Sequence, residues 1–110
     1  MLIYSCYYCI VPPCFTKPLE NTTTLVNSVA ELSCCTKSHP LPSFKWFKDG
    51  QLLSGSELQK IQIENASTSL TLTNVQFTDE GCYEVHALNE AGEVKCEGNL
   101  KVYGNSNCWF

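Results

Sequence analysis

The stretch DEGCYEVHALNEAG, which runs from Asp79 to Gly92, decides the fold of this chain. Tyr83, Val85 and Ala87 recur at every second position, with a charged or polar residue between them. Alternation with a period of two is typical of a β-strand that buries one face. The Asn-Glu-Ala-Gly tetrapeptide that follows is typical of a tight turn. The stretch therefore predicts a strand that buries Tyr83, Val85 and Ala87 and ends in a hairpin.

Similar alternating runs lie on both sides of this strand, about ten residues apart and separated by turn residues. That spacing is typical of an antiparallel sandwich, and no long helical period competes with it. We predict a first strand split near Pro18, a loop over 38–42, and a hairpin that joins 58–63 to 70–75. The other side chains predicted to face inward are Ala30, Leu32, Cys34, Phe44, Trp46, Leu52, Leu100 and Val102. The predicted fold class is all-β, with two sheets packed face to face.

The composition limits the possible functions. With 110 residues, the chain has room for a single domain. Its formal net charge is -4 and all seven basic residues are Lys, so it has no Arg for bidentate contacts with phosphates or bases. We therefore expect no nucleic-acid partner.

The two ends of the chain match no strand of this pattern. Met1 to Val11 is apolar and aromatic, but it has no basic residue and is too short to span a bilayer. We therefore predict neither a signal peptide nor membrane insertion. The predicted organisation is an unplaced leading segment over 1–11, one domain over 12–103 and an unplaced tail over 104–110.

Residues 12–103 resemble the intermediate-set (I-set) immunoglobulin domains. The family pattern has a Cys in strand B, a Trp in strand C, a Leu-x-Leu strand E, and an Asp-x-Gly-x-Tyr-x-Cys stretch that ends in strand F. Its counterparts here are Cys34, Trp46, Leu70 to Leu72, and the stretch Asp79 to Val85. The resemblance implies an immunoglobulin-like Greek-key β-sandwich. The structural core residues that it implies are Cys34, Trp46, Leu72, Asp79, Gly81, Tyr83 and Val85.

The resemblance also implies two contacts at Asp79. The hydroxyl of Tyr83 should bond back to the backbone near Asp79, in the arrangement called the tyrosine corner. The Asp79 carboxylate should pair with Lys60, since the family usually has a basic residue there.

One position departs from the family pattern. Val85 stands where the family has its second Cys, so we predict that Cys34 has no disulfide partner across the core. Immunoglobulin domains of the titin, obscurin and myosin-binding protein type, which fold in reducing cytosol, often lack this bond. Cys35 and Cys82 are predicted to be outward-facing free cysteines of ordinary reactivity, and the redox state of Cys96 stays open. The departure favours a cytoplasmic location, in the cytoskeleton or sarcomere.

No residue pattern predicts catalysis, a cofactor or a metal. Cys6 and Cys9 have the spacing of half a zinc site, but no second pair of ligands follows. A buried Cys34 and an outward-facing His86 do not make a nucleophile and its base. Asn21 and Asn65 each begin a glycosylation sequon, which is the main observation in favour of an extracellular location.

These observations favour a non-enzymatic, titin-like module that binds other proteins and sets spacing within a larger intracellular protein. The expected partners are neighbouring immunoglobulin-type domains or filament proteins. The candidate binding surfaces are the edges of the first strand (strand A of the family) and the last strand (strand G), and a face that carries Lys45, Lys48 and Asp49. The alternatives are an extracellular adhesion or receptor ectodomain and a regulatory domain attached to a muscle-type kinase.

Overall fold

The structure is a computed structural model that describes residues 9–104. Nine β-strands make up most of this part of the chain. In chain order they are β1 (Val11–Lys17), β2 (Thr22–Leu25), β3 (Ala30–His39), β4 (Ser43–Lys48), β5 (Gln51–Leu53), β6 (Gln59–Glu64), β7 (Ser67–Leu72), β8 (Gly81–Asn89) and β9 (Gly92–Tyr103). A short 3₁₀ helix, Phe77–Asp79, precedes β8, and the described residues contain no α-helix.

The strands form two sheets. One has the order β1-β3-β7-β6, and the other has the order β2-β9-β8-β4-β5. All neighbouring strands run antiparallel except β2 and β9, which run parallel. Because β1 and β2 belong to different sheets, the chain crosses from one sheet to the other around Pro18. The predicted two-sheet, all-β sandwich with a split first strand is confirmed.

The core lies between the two sheets and follows the predicted alternation. Tyr83, Val85 and Ala87 of β8 are all 0% exposed. Side chains that point inward from the other strands complete the same apolar cluster. Its members are Leu19, Ala30, Leu32, Cys34, Phe44, Trp46, Leu70, Leu72, Val75, Tyr83, Val85, Ala87, Leu100 and Val102.

Two local predictions are wrong. Leu52 was expected to face the core, but it is 61% exposed, and Leu53 packs against the core instead. The hairpin turn at Asp49 and Gly50 sets Lys48 opposite Gln51, so Leu53 lies opposite Trp46 and shares its inward face. The loop predicted over 38–42 is shorter, because β3 continues to His39, where it pairs with Val11 of β1.

The chain enters and leaves the sandwich at opposite ends. At one end Val11 begins β1, and its carbonyl accepts a hydrogen bond from Asn89 Nδ2 at 2.8 Å. At the other end Tyr103 finishes β9, and its carbonyl accepts from the Val26 amide at 2.8 Å. β9, with 12 residues, runs along the whole sandwich. At a rise of roughly 3.4 Å per residue it is about 40 Å long.

Candidate functional site

The stretch Asp79 to Gly92 also makes stabilising contacts at the end of the sandwich where β8 begins. The Tyr83 hydroxyl donates to the Asp79 carbonyl, so the predicted tyrosine corner is present. The predicted pairing of Asp79 with Lys60 is wrong, because the Asp79 carboxylate accepts from the Gln76 amide at 2.8 Å and makes no ion pair within residues 9–104. This carboxylate therefore caps the 3₁₀ helix that leads into β8.

The Asp49 carboxylate lies close to the backbone at Gly81. Asp49 Oδ1 accepts from the Cys82 amide at 2.9 Å, and a Cβ on Gly81 would meet Asp49 Oδ2 at 2.6 Å. The Cys82 amide, followed by Lys48, holds the pKa of Asp49 below its ordinary value. Lys48 also donates to the Thr78 carbonyl at 3.0 Å. Lys48 and Asp49 are therefore engaged within the domain, which weakens the prediction that they form a binding surface.

One hydrogen bond ties the two sheets together in the centre of the core. The Nε1–H of Trp46 donates to Thr68 Oγ1 at 2.9 Å, and the Thr68 hydroxyl donates to the Gln62 carbonyl at 2.8 Å. Trp46 is 1% exposed and Thr68 is 3% exposed. The sequence pattern predicted the buried Trp46 but did not identify Thr68 as its partner. The alternation of Thr68 with Leu70 and Leu72 was the signal that could have placed Thr68 on the inward face.

Cys34 is not isolated in the core, as its sequence pattern suggested. Val85 is buried in the same core cluster as Cys34, and Cys96 lies directly beside Val85 on the neighbouring strand β9 and packs against that cluster. The Cys34 and Cys96 thiols are near enough to perturb each other's ionisation. Both cysteines are free thiols in this structure. This state agrees with the prediction that Cys34 has no disulfide partner across the core.

The contact between the two thiols makes them chemically different. Hydrogen bonding to Cys96 and burial raise the pKa of Cys34 above its ordinary value. The same hydrogen bond lowers the pKa of Cys96, and the Leu19 amide adds to this effect by donating to Cys96 Sγ at 3.5 Å. The thiolate of the pair therefore forms on Cys96, which is the more exposed of the two.

The outward face of the five-stranded sheet carries apolar and charged groups side by side. The rings of Phe47 and His86 stack with centroids 4.3 Å apart, which confirms that His86 faces outward. His86 lies between two carboxylates, with Nε2 3.5 Å from Glu84 and Nδ1 3.6 Å from Glu93. Leu52, the register partner of Phe47, adds an exposed apolar side chain. We call Leu52, Phe47, Glu84, His86 and Glu93 the outer face.

Cys82 lies next to the outer face and is poorly suited to react. Partial burial raises the pKa of its thiol, and so does the Glu97 carboxylate, whose Oε2 lies 3.6 Å from Cys82 Sγ. No group of three or more His, Cys, Asp or Glu side chains within residues 9–104 is arranged to hold a metal ion. Cys6, which formed half of the weak zinc pattern, lies outside the described residues.

The strand edges predicted as binding surfaces are edges in the structure. β1 is the last strand of its sheet, and among the strands of residues 9–104 it pairs with β3 alone. β2 covers β9 only over Leu100–Tyr103, so within the described chain residues 92–98 of β9 have a ladder partner on the β8 side alone. The two edges lie close together, since a Cβ on Gly92 would stand 3.5 Å from Pro12 Cβ. An added strand could pair with backbone groups along this side.

The sandwich, its tyrosine corner and its buried Trp define the protein as an immunoglobulin-like domain. The family model described as "Immunoglobulin I-set domain" matches residues 13–102, so the chain belongs to the immunoglobulin I-set family. No helix within residues 9–104 combines the length and apolar character needed to cross a membrane.

The relatives include both extracellular and muscle proteins. Hemicentin-1 of Mus musculus is 37% identical over 97 residues, which cover 88% of this chain and 2% of that protein. The muscle M-line assembly protein unc-89 of Caenorhabditis elegans is 36% identical over 84% of this chain and 1% of its own length. Roundabout homolog 3 of Homo sapiens is 36% identical over 84% of this chain and 6% of its own. The chain thus spans a few per cent of the length of the relatives that it matches.

Solved structures of muscle immunoglobulin domains resemble the whole sandwich. A chain of the titin M10–obscurin-like 1 Ig complex is 33% identical, with a TM-score of 0.83 over 86% of this chain and 97% of that one. The titin M3 domain is 30% identical, with a TM-score of 0.79 over 84% of this chain and 97% of that one. Taken with the relatives, these similarities indicate a protein-binding module.

Proposed function

We propose that this chain is a non-enzymatic, protein-binding and spacing module of a larger intracellular protein of the cytoskeleton or sarcomere. The observation that carries the proposal is the axial path of the chain, which enters at Val11 and leaves at Tyr103, at opposite ends of the sandwich. Domains of this kind can be joined in series, so that each adds about 40 Å to the length of the assembly. Its similarity to chains from titin and to unc-89 supports a filament setting.

The proposed partners are neighbouring immunoglobulin-type domains or filament proteins. The side formed by β1 and residues 92–98 of β9 has backbone groups for a partner strand, and the outer face combines exposed Leu52 with the carboxylates of Glu84 and Glu93. Apolar groups surrounded by charges are typical of a binding patch whose charges select the partner. The crystal structure of the titin M10–obscurin-like 1 Ig complex is an example of domains of this fold in complex with each other.

The spacing role is tested by joining two copies of residues 9–104 in series and measuring small-angle X-ray scattering. We expect an extended particle with a maximum dimension of about 80 Å, twice the length of β9. The control is the same pair joined by a flexible Gly/Ser linker of about 20 residues, which should give a broad distribution of distances. A compact, side-by-side pair without the linker would contradict the proposal.

A second candidate function is extracellular adhesion, and the two sequons favour it. Asn21 and Asn65 are both exposed, and Asn65 lies at the turn between β6 and β7. The matches to hemicentin-1 and roundabout homolog 3 are consistent with this candidate. A regulatory role beside a kinase is a third candidate, because two relatives are named as kinases, of which the chain covers 3% and 5%.

The two locations are distinguished by the intact mass of the protein isolated from its native cells. An intracellular module should carry no glycan on Asn21 or Asn65, whereas a secreted one should lose mass on treatment with an amidase that removes N-glycans. Asn21→Gln and Asn65→Gln variants then assign any sugar to its site. Glycosylation at either site would overturn the intracellular proposal.

A further inference from the structure

The outward side chains of the five-stranded sheet lie in rows that run across its strands. The first row, which we call the acidic row, consists of Leu52, Phe47, Glu84 and Glu97. The next row on the same side, which we call the basic row, consists of Lys45, His86 and Lys95. The two rows are two residues apart along each strand, which corresponds to about 7 Å. Opposite charges are thus arranged in neighbouring lines on one flat surface.

The charges at the ends of these rows are open to a partner. Lys45, Lys95 and Glu97 are exposed, and none of them forms an ion pair within residues 9–104. Leu52, at the other end of the acidic row, is 61% exposed. A protein that docks here would therefore find both a free apolar side chain and charges that no neighbour neutralises.

A second copy of this domain has a charge pattern that fits the first. Two copies can pack outer face to outer face about a two-fold axis that runs across the strands, between the acidic and the basic row. Glu97 then faces Lys95 of the second copy. The ring of Phe47 faces the ammonium group of its Lys45, where a cation–π contact can form. Because the axis is two-fold, each of these pairs occurs twice.

Two other axes fit the charges less well. An axis along the strands would set Glu97 over the apolar Leu52 and Lys45 over His86, so no pair of opposite charges would form. An axis beyond the basic row would pair Lys95 with Glu93 but would leave the acidic row without a basic partner. Unfavourable pairs select an orientation as strongly as favourable ones do. The pattern therefore favours the axis between the two rows.

We propose that the outer face is a self-association surface that binds a second copy of this domain in antiparallel orientation, with each acidic row over the other copy's basic row. This inference rests on the proposed function, since it names the immunoglobulin-type domain that this face binds. The face spans four strands and about six residues of each, which is roughly 400–600 Å² per copy. Specific interfaces of that size are weak, so we expect a reversible dimer with a Kd on the order of 100 µM.

Sedimentation equilibrium of the full chain tests the proposal, in a reducing buffer so that no disulfide links two chains. The average mass should rise from that of one chain towards that of two as the concentration approaches about 1 mM. Added salt should weaken the association because it screens the charges. Lys95→Glu and Glu97→Lys should each raise the Kd about tenfold, since each brings like charges together at two symmetry-related points.

A mixture of these two variants distinguishes this arrangement from other dimers. In a dimer with one chain of each, the unchanged Glu97 of one faces the unchanged Lys95 of the other. The two replaced side chains also face each other with opposite charges. The mixture should therefore associate about as tightly as the wild type, although neither variant does so alone. In nuclear magnetic resonance spectra of labelled Lys95→Glu chain, adding unlabelled Glu97→Lys chain should shift the signals of the two rows.

The controls place similar charges elsewhere. Glu31→Lys and Lys37→Glu change the outward side of the four-stranded sheet and should leave the Kd unchanged. All variants should melt at the temperature of the wild type, since these side chains are exposed. The proposal is overturned if the wild type stays monomeric at about 1 mM, or if the mixture does not associate. It is also overturned if Glu93→Lys, rather than Glu97→Lys, weakens the dimer, or if the shifted signals belong to β1.

The spacing role can fail or succeed independently of this surface. The scattering of two directly joined copies reports on the connection between Tyr103 of one copy and Val11 of the next. Lys95→Glu in both copies should therefore leave that scattering unchanged. An extended pair together with a chain that does not self-associate would overturn this inference alone. A compact pair that persists with Lys95→Glu in both copies would overturn the spacing role alone.

Discussion

Thr68 is a polar residue at the centre of an apolar core, and its single hydroxyl serves two partners. It accepts from the Trp46 indole and donates to the Gln62 carbonyl. Trp46 contributes the largest of the fully buried side chains, and its N–H has no access to water. A buried donor without a partner costs the full desolvation of that group. The position of the indole ring therefore depends on a residue of the opposite sheet.

Replacing Thr68 by Val tests this bond, since Val has almost the same shape but no hydroxyl. We expect Thr68→Val to lower the free energy of unfolding by about 1–3 kcal/mol, because the buried indole N–H loses its partner. Urea denaturation measures the change. The matched control is Thr71→Val on the outward face of the same strand, where we expect a change within about 0.5 kcal/mol. Equal stability of the two variants would show that the Trp46 bond contributes nothing.

At the scale of the elements, the crossing between β1 and β2 is held against β9 by a close backbone contact. Gly98 is buried, and a Cβ built on it would lie 2.7 Å from the Glu20 carbonyl oxygen and 3.2 Å from Leu19 Cβ. The partner is backbone, so it cannot turn aside as a flexible side chain would. The Asn99 amide donates to Asn21 Oδ1 at 2.9 Å and fastens the same crossing.

A methyl group at this point should therefore force the crossing away from β9. We expect Gly98→Ala to destabilise the domain by about 1–3 kcal/mol, as other overpacked sites do. Gly92→Ala on the same strand is the control, because its Cβ would meet Pro12 at 3.5 Å, an ordinary contact distance. Thermal unfolding followed by circular dichroism compares the two. If Gly98→Ala melts at the temperature of the wild type, the Glu20 carbonyl does not exclude a side chain at position 98, and the expected steric clash is absent.

Register within a hairpin is also decided at this scale. Two adjacent leucines, Leu52 and Leu53, fit either face of β5, so alternation alone could not choose between them. The two-residue turn at Asp49 and Gly50 makes the choice, because it sets which residue of β5 lies opposite Trp46. A shift of one residue would have put Leu52 in the core and Leu53 in solvent.

At the scale of the whole molecule, Val85 decides which cysteines can join the two sheets. In a Val85→Cys variant, the position opposite Cys34 becomes a thiol, and we expect the two to pair spontaneously under oxidising conditions. Closing that loop should add about 4 kcal/mol to the free energy of unfolding on the chain-entropy model. Cys96 should then remain open to alkylation. Thiol mapping and thermal melting measure both effects.

The control for this variant is the same change combined with Cys34→Ala, which removes the proposed partner. It should show neither the link nor the rise in melting temperature. If the cysteine introduced at position 85 does not form a disulfide with Cys34, then positions 34 of β3 and 85 of β8 do not lie opposite each other across the core.

The sequence by itself determined the fold class and the alternation that buries Tyr83, Val85 and Ala87, and its family resemblance implied the tyrosine corner. These features follow from patterns that are local in the chain, because a period of two reports directly on which side of a strand meets water. The turn at Asp49 and Gly50 is equally local. Family and fold could therefore be predicted without any knowledge of how the two sheets lie on each other.

Only the tertiary structure decided which inward side chains meet. The bond between Trp46 and Thr68 and the packing of Cys96 against the core cluster that contains Cys34 each bring together residues far apart in the chain and on different sheets. Such contacts depend on how one sheet packs over the other. The periodicity of the sequence contains no information about that packing. Alternation can place Cys96 on an inward face, but the strand that it faces is set by the packing of the whole core.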